Sequence, residues 1–315
     1  MATTGHDHQA YPAFESVAGV PVRWIDRREE LTWAQLGLEV PETFVFTSWN
    51  HPAYMSLAAD ARRQRGTQTV SMMDNIFHGS PRQWAGALWF RAVLRRQIDI
   101  LWVPGRRGLA YARFLGMPES RVVQGLYGAD GDIFSLPERA EEQSERVGAL
   151  FVGQLIERKG VGAIVEAAER DVNFRAQMRL IGNGPLAERV VRAGLRHAEF
   201  RHGEDLAGAY RAASVFMLPS TLDHWGVALH EAALSGCLLG ATRQCGAVAD
   251  LIVHGRNGYV MESSSPSEVL SAFRWAEALQ PRVREEGRQM SRELAGRFGP
   301  RAFSSAFEGI LAAAR

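Results

Sequence analysis

The chain has 315 residues, of which 46% are hydrophobic and 23% are charged, and its formal net charge is +1. This length allows one large core or two of ordinary size, and the composition is that of a globular protein. A net charge so close to zero gives no reason to expect nucleic acid or a strongly acidic substrate as a partner. Cys237 and Cys245 lie in one apolar region, and we interpret them as buried free thiols.

No apolar stretch is long enough to cross a bilayer, and no signal-peptide pattern opens the sequence. We therefore expect a cytoplasmic protein. The first dozen residues are expected to form a flexible lead-in.

The first half of the chain predicts a βα array. Short β-rich runs alternate with helical patterns, which indicates a parallel sheet covered on both faces. The predicted strands are Phe44–Trp49, Thr69–Met73, Ile98–Val103 and Arg121–Leu126, and the predicted helices are Tyr54–Gln64, Gln83–Arg96 and Arg107–Leu115.

Residues 81–107 interleave aromatic side chains with arginines, with Asp99 as the only acid. Basic amphipathic helices that contain tryptophan can lie on anionic lipid, so a peripheral membrane contact is one interpretation. The alternative is that the aromatics form the core side of a helix whose arginines meet water. The residues concerned are Trp84, Trp89, Phe90, Trp102, Arg82, Arg91, Arg95, Arg96, Arg106 and Arg107.

A polar segment, residues 135–147, separates this half from a second βα array. The segment is acidic, poor in apolar residues and contains Pro137, which predicts an interdomain linker. The predicted strands of the second array are Ala149–Val152, Gln177–Ile181, Ala198–Arg201, Val215–Leu218 and Leu238–Ala241. The end of the chain, Arg282–Arg315, predicts helices with a break at Gly299-Pro300.

The most informative segment is LPSTLDHWG (218–226) with Glu231 after it. Asp223 is expected in a loop at the carboxyl end of a strand, the edge at which open α/β sheets bind ligands. Gly226 opens a helix whose first N–H groups would face an anion. Glu231 lies among apolar neighbours inside that helix, where its carboxylate needs a partner such as ribose hydroxyls.

Three further patterns accompany this segment. VGQLIERKG (152–160) brings Lys159 to the end of a strand, where its compact charge can hold a phosphate or merely lie in a solvated turn. In IGNGP (181–185) the glycines allow either close approach to a ligand or a tight turn with Pro185 at the first helical position. Residues 246–258 predict a short helix ended by a Gly-rich turn.

In this order and spacing, the four patterns resemble the family-4 retaining glycosyltransferases of GT-B fold. That family pairs G-R-L-x-x-x-K-G with G-x-G-P, followed by L-P-S-x-x-E-x-F-G-x-x-x-x-E-A and D-G-x-N-G-x-x-V. The corresponding segments here are VGQLIERKG, IGNGP, LPSTLDHWGVALHEA and VHGRNGYVM, and the resemblance covers residues 148–275. GADGDIF (128–134) is similar to the motif that ends the family's first domain.

The resemblance implies an α/β protein of two Rossmann-like domains with parallel sheets facing a cleft. Residues 1–134 would form the acceptor side and residues 148–290 the nucleotide-sugar side. The helix in residues 291–315 would pack back on the first domain. The implied activity is metal-independent hexosyl transfer from a UDP- or GDP-sugar to a glycan, a lipid-linked acceptor or a small molecule, with no cofactor besides the donor.

The resemblance also implies roles for single residues. Glu231 would bind the ribose, Asp223 the hydroxyls of the donor sugar, and Lys159 the departing diphosphate. Trp225 is either a wall of the sugar pocket or part of the core. The remaining implied donor-binding residues are Gly153, Gln154, Arg158, Gly184, Gly226, Val227 and Ala228.

Several departures from the family pattern leave an alternative open. Gln154 replaces the family's arginine, although Arg158 could substitute for it, and Asp223 replaces a glutamate. The family's glycine-rich loop is absent from residues 1–40, and Met73 stands where we expect its histidine. Asp74 would then orient acceptor or sugar, with His78 within reach, unless Asp74-Asn75 is only a turn. The alternative function is a catalytically degenerate nucleotide-sugar-binding or partner subunit.

Overall fold

The computed structural model describes residues 31–47, 49–135 and 148–313, together with the backbone of two short parallel strands, β1 (Ala2–Thr3) and β2 (Trp24–Ile25). Most of the predicted lead-in and residues 136–147 of the predicted linker lie outside the described residues.

The first domain contains a parallel sheet of four strands in the order β3-β4-β5-β6. The strands are β3 (Thr43–Thr47), β4 (Gln68–Met72), β5 (Ile100–Val103) and β6 (Val122–Gln124). The predicted strands are therefore present with ends shifted by at most two residues. Every residue of β5 is buried, as expected for a strand covered on both faces.

The helices of the first domain begin and end at recognisable signals. α2 has Pro52 at its first position and ends at Gly66, whose φ of 70° is left-handed. Ser80 caps α3, which ends at Ala92 and not at Arg96 as predicted, because a 3₁₀ turn (Leu94–Arg96) replaces its last turn. The helices are α1 (Trp33–Leu36), α2 (Pro52–Arg65), α3 (Pro81–Ala92), α4 (Arg106–Phe114) and α5 (Gly131–Phe134).

The second domain contains a parallel sheet of six strands in the order β12-β11-β10-β7-β8-β9. The strands are β7 (Ala149–Val152), β8 (Met178–Ile181), β9 (Arg196–Ala198), β10 (Val215–Leu218), β11 (Leu238–Thr242) and β12 (Gly258–Met261). The predicted position of β9 was wrong by two residues at its start and three at its end. The interpretation of the 246–258 segment missed β12, although the short helix in it is present.

The helices of the second domain lie between these strands and after β12. They are α6 (Val161–Arg170), α7 (Val172–Gln177), α8 (Ala187–Arg192), α9 (Gly203–Ala212), α10 (Val227–Leu234), α11 (Val248–Leu251), α12 (Pro266–Ala278) and α13 (Pro281–Ala295).

The strand order reverses at β7. From β7 the chain proceeds to β8 and β9 on one side, and then crosses back to β10, β11 and β12 on the other. Parallel sheets leave a crevice outside the carboxyl ends of the two strands at such a reversal, and ligands bind there. The loops that follow β7 and β10 are therefore the expected ligand-binding edge of this sheet.

The last helix, α14 (Pro300–Ala312), returns to the first domain. The rings of Phe303 and Phe307 lie 4.5 and 6.0 Å from Trp102 of β5, and Ile310 is buried in the same cluster. The Gly299 φ of 138° provides the turn before Pro300.

The carboxyl-end loops of the two sheets meet. A Cβ placed on Gly246, after β11, would lie 3.4 Å from Ile76 Cγ2, after β4. The two parallel sheets therefore face each other across the cleft between the domains, and the molecule is an α/β protein of the expected fold class.

Candidate functional site

Lys159 and Asp223 form an ion pair at the reversal of strand order. Lys159 ends the 3₁₀ turn Glu157–Lys159 that follows β7, and Asp223 lies in the loop after β10. Lys159 Nζ donates to Asp223 Oδ2 over 2.5 Å, and the two side chains are 19% and 12% exposed. The structure thus brings together two predicted site residues that are 64 positions apart in the sequence.

Close backbone packing holds these two loops together. Gly160 has a φ of 76°, and a Cβ there would lie 2.0 Å from the carbonyl oxygen of Pro219. The N–H of Thr221 donates to the Arg158 carbonyl oxygen over 2.9 Å. Glycine is required at position 160 both for its conformation and for the space it leaves.

The Asp223 loop is also joined to the loop after β11. The Asp223 N–H donates to Gln244 O over 3.2 Å, and the Gly246 N–H donates to Asp223 O over 2.9 Å. Cys245, between them, donates from Sγ to Trp225 O over 3.0 Å, and burial raises the pKa of its thiol to about 12. Cys237 is also a buried thiol outside any disulfide, so the prediction of two buried thiols is confirmed.

The first turn of α10 presents backbone donors beside this pair. Gly226 has a φ of 87°, and a Cβ on it would lie 2.6 Å from Cys245 Sγ. The N–H groups of Val227 and Ala228 belong to the first turn of the helix, where no acceptor exists within the helix. Val227 is exposed, and helix N-termini of this kind are suited to anions.

Glu231 lies in the middle of α10 and is held by Tyr210. The Tyr210 hydroxyl donates to Glu231 Oε2 over 2.8 Å. Burial raises the pKa of Glu231 to about 7, although the hydrogen bond from Tyr210 acts in the opposite direction. Burial also raises the pKa of Tyr210, so its hydroxyl remains a donor that orients the carboxylate.

The loops of the predicted patterns VGQLIERKG (152–160) and IGNGP (181–185) pack against each other at their glycines. A Cβ on Gly182 would lie 1.8 Å from Gly153 O, and one on Gly184 would lie 2.6 Å from Leu155 O. The N–H of Leu155 donates to Asn183 O over 2.9 Å. In this structure, these glycines allow two loops to approach each other, while Gln154 is exposed at the edge of the sheet.

Two predicted donor-binding side chains have partners other than the Lys159–Asp223 pair. Arg158 donates from Nη1 to Leu222 O over 2.9 Å and lines a surface cavity of about 520 Å³ whose lining does not include Lys159. Trp225 is 3% exposed, and its ring lies 5.2 Å from that of Phe298. Its indole therefore belongs to the core and not to an open wall of the crevice.

Asp74, the predicted acceptor-side residue, follows β4 and accepts a hydrogen bond of 3.0 Å from the Tyr127 hydroxyl. This carboxylate is one cause of the raised pKa of Tyr127, after burial. Met73, at the position expected for the family's histidine, is buried in the core, and His78 is exposed. Asp74 thus lies in the carboxyl-end loop that faces the second domain.

Sequence reasoning missed Tyr210. Its only sequence signal is its place on the apolar face of α9, where a tyrosine reads as core. Its contact with Glu231 depends on the packing of α9 against α10, which no local pattern reports.

Within the described residues, no group of three or more His, Cys, Asp and Glu side chains is arranged to hold a metal ion. No helix there combines the length and the apolar character needed to span a bilayer.

Residues 146–277 match the family model described as "Glycosyl transferases group 1". An uncharacterized glycosyltransferase of Methanocaldococcus jannaschii is 25% identical over 129 residues, which are 38% of this chain and 33% of that protein. D-inositol 3-phosphate glycosyltransferase of Corynebacterium urealyticum is 27% identical over 187 residues, which are 51% of this chain and 42% of that protein. The chain thus spans less than half the length of these curated relatives. The matched part of the chain is thus similar to glycosyltransferases in all three comparisons.

Solved structures resemble the whole chain. HepE of Anabaena, in complex with UDP, has a TM-score of 0.74 at 15% identity and covers 96% of this chain and 89% of its own. Sucrose-phosphate synthase from Thermosynechococcus elongatus has a TM-score of 0.67 at 18% identity, with 89% and 76% covered. These likenesses show that the fold is GT-B.

Proposed function

We propose that this chain is a retaining glycosyltransferase of family 4. It transfers a sugar from a UDP- or GDP-sugar to a glycan, a lipid-linked acceptor or a small molecule, without a metal ion. The observation that carries the proposal is the Lys159–Asp223 pair beside the first turn of α10 at the reversal of strand order. That crevice offers a cation and N–H donors for a diphosphate, and a carboxylate for the hydroxyls of the sugar linked to it.

The proposed chemistry uses these groups in one step. The bond between the sugar C1 and the diphosphate oxygen breaks, while a bond from C1 to the acceptor oxygen forms on the same face. The acceptor proton passes to the released diphosphate. Negative charge grows on that leaving group, and Lys159 with the N–H groups of Val227 and Ala228 would stabilise it.

The two carboxylates serve binding in this proposal. Asp223 accepts hydrogen bonds from hydroxyls of the donor sugar, and Glu231 accepts them from the ribose. Asp223 is shorter than the family's glutamate by one methylene, or about 1.5 Å. The sugar would therefore lie closer to the loop after β10.

The nucleotide base would lie beyond β8 and β9, near residues 200–205, which lead into α9. Phe200 is exposed, and its ring lies 4.7 Å from that of His202 in an edge-to-face arrangement. HepE and the pneumococcal O-GlcNAc transferase GtfA have been solved with UDP, which supports a uridine donor as the first to test.

The acceptor would approach from the first domain, where Asp74 would orient it. We also propose a cytoplasmic location with a peripheral contact at the inner face of the membrane, which the surface of α3 supports. Trp84, Leu88 and Trp89 are exposed there, and residues 81–98 contain four arginines and no acid. An apolar ridge surrounded by cations suits the headgroup region of anionic lipid.

The test is calorimetric titration of the purified chain with UDP, GDP and ADP, followed by donor hydrolysis with the corresponding sugar nucleotides. We expect one nucleotide to bind and its sugar nucleotide to be hydrolysed slowly without acceptor. Asp223→Ala should abolish hydrolysis, whereas the exposed control Asp132→Ala should not. Binding without any turnover would favour the degenerate alternative, and no binding of any nucleotide would overturn the proposal.

A further inference from the structure

A carboxylate of the second domain caps a helix of the first. Asp250 lies on α11, and α4 begins at Arg106 on the other side of the cleft. We propose that Asp250 is a positioning residue, which holds the acceptor-side domain against the loop that carries Asp223. This inference rests on the proposed function, since the separation it sets is that between acceptor and donor.

The N-terminus of α4 has no cap within its own domain. Its N-cap residue is Gly105, which has no side chain to accept a hydrogen bond. Asp250 Oδ2 and Oδ1 lie 3.1 and 3.4 Å from the Arg106 backbone N–H and accept from it. A carboxylate at this end of a helix satisfies a free donor and favours the positive pole of the helix dipole.

Asp250 packs tightly against the start of α4. The Asp250 side chain is 6% exposed, and a Cβ on Gly105 would lie 2.5 Å from Asp250 Oδ2 and 3.0 Å from Trp225 Cζ3. Any larger residue at position 105 would force the carboxylate away from the helix. Glycine at this position is therefore explained by the approach of the second domain.

Two arginine side chains add to the same junction. Arg106 Nη1 donates to Ala249 O over 3.2 Å, and its Nε lies 3.8 Å from Asp250 Oδ1. The Arg107 guanidinium donates to the carbonyl of Arg243. Because the Arg106 guanidinium is largely exposed, we expect the buried carboxylate to dominate the contact.

The junction is connected to the proposed donor site through a short path. Arg243, Gln244 and Asp250 belong to one segment, which runs from the end of β11 into α11. Gln244 O and the Gly246 N–H are the hydrogen-bond partners of the Asp223 backbone. A first domain held by Asp250 is therefore held to the segment that fixes Asp223.

The first experiment measures the separation of the domains directly. Cysteines placed at the exposed positions Glu39 and Glu169 carry a fluorescent pair for single-molecule energy transfer, and the buried Cys237 and Cys245 do not compete for label. We expect Asp250→Ala to raise the ratio of separated to closed molecules about tenfold. Asp250→Asn, which keeps one acceptor oxygen, should raise it less, and Arg106→Ala should change it least.

The second measurement separates positioning from donor binding. All proposed donor contacts lie in the second domain, so Asp250→Ala should leave the affinity for UDP unchanged while the rate of transfer to an acceptor falls about tenfold. If Asp250→Ala does not fold, Gly105→Ala disturbs the same contact from the other side and should separate the domains.

An unchanged distance distribution in every folded variant would overturn the positioning role of Asp250. A wild-type chain that binds no nucleotide would overturn the proposed function instead, and the energy-transfer result would still stand. The two failures are therefore distinguishable.

Discussion

Lys159 and Asp223 form an ion pair at the reversal of strand order, since Lys159 Nζ lies 2.5 Å from Asp223 Oδ2. The cation proposed for the diphosphate is therefore already paired with the carboxylate proposed for the sugar. Donor binding has to redistribute this pair, because the diphosphate competes for Lys159 while the sugar hydroxyls replace the ammonium on Asp223.

Removing the carboxylate should strengthen nucleotide binding and weaken transfer. In Asp223→Asn, Lys159 is released to the diphosphate, so we expect UDP to bind about 3- to 10-fold more tightly by calorimetry. Donor hydrolysis should fall at least about 100-fold. Lys159→Met is the matched variant and should weaken UDP binding. Equal weakening by both substitutions would contradict this account of the pair.

The pKa of Glu231 predicts a pH-dependent stability. Burial raises this pKa from about 4.5 to about 7, so the folded chain holds a proton that the unfolded chain has released between these pH values. The contribution of Glu231 to stability should therefore fall as the pH rises from 5 to 7 and then level off. Because the side chain remains partly exposed, we expect this contribution to fall by about 1–2 kcal/mol. Burial lowers the pKa of His230 to about 4, so His230 contributes the opposite slope in this range. Urea denaturation at pH 5 and pH 8 should therefore show a change in stability that is about 1–2 kcal/mol more favourable to the higher pH in Glu231→Gln than in the wild type.

The same group predicts the pH dependence of nucleotide binding. Ribose hydroxyls donate hydrogen bonds, so they favour the ionised Glu231. The affinity for UDP should rise as the pH increases through about 7, and Glu231→Gln should flatten this profile. If the wild-type affinity for UDP does not change between pH 6 and pH 8, Glu231 does not bind the ribose.

Gly160→Ala tests the packing of the two loops that carry the ion pair. The φ of Gly160 is 76°, in the left-handed region that strains other residues, and a Cβ at this position would lie only 2.0 Å from Pro219 O. We expect a loss of about 2–4 kcal/mol in the free energy of unfolding, with weaker UDP binding. Gly208→Ala, in the exposed face of α9 with open space around it, should gain about 0.5–1 kcal/mol. Equal effects of the two substitutions would show that the loops do not depend on glycine.

The inner strands of the second sheet could be predicted from the sequence, whereas its outer strands could not. β7 and β10 are wholly buried, and their apolar runs match the predicted bounds without a shift. The misplaced β9 and the missed β12 are the two edge strands of the sheet. Edge strands have one neighbour and are half-covered, so their composition lacks the continuous apolar signal of a central strand.

In the candidate site, too, the local features could be predicted from the sequence, whereas the contacts between distant segments could not. The placement of Lys159, Asp223 and Gly226 at strand ends and a helix start follows from local pattern. Their meeting depends on β7 and β10 being neighbours, which the sequence does not report. The contact of Glu231 with Tyr210 and that of Asp250 with α4 likewise arise from packing between distant segments.

The exposed surface of α3 predicts binding to anionic vesicles. Trp84 and Leu88 are more than half exposed on one face of the helix, and the nearby arginines are not offset by acids within residues 81–98. We expect sedimentation of the chain with vesicles that contain phosphatidylglycerol, and weaker sedimentation at high salt, because screening removes the attraction of the arginines. Leu88→Glu should lower the partition coefficient at least about tenfold, since it removes apolar contact and adds a repelled charge.

The matched substitution Val172→Glu, at an equally exposed apolar residue of the second domain, should have little effect. If both variants bind as the wild type does, α3 does not contact lipid, and Trp84 serves packing against Phe77 and Phe114.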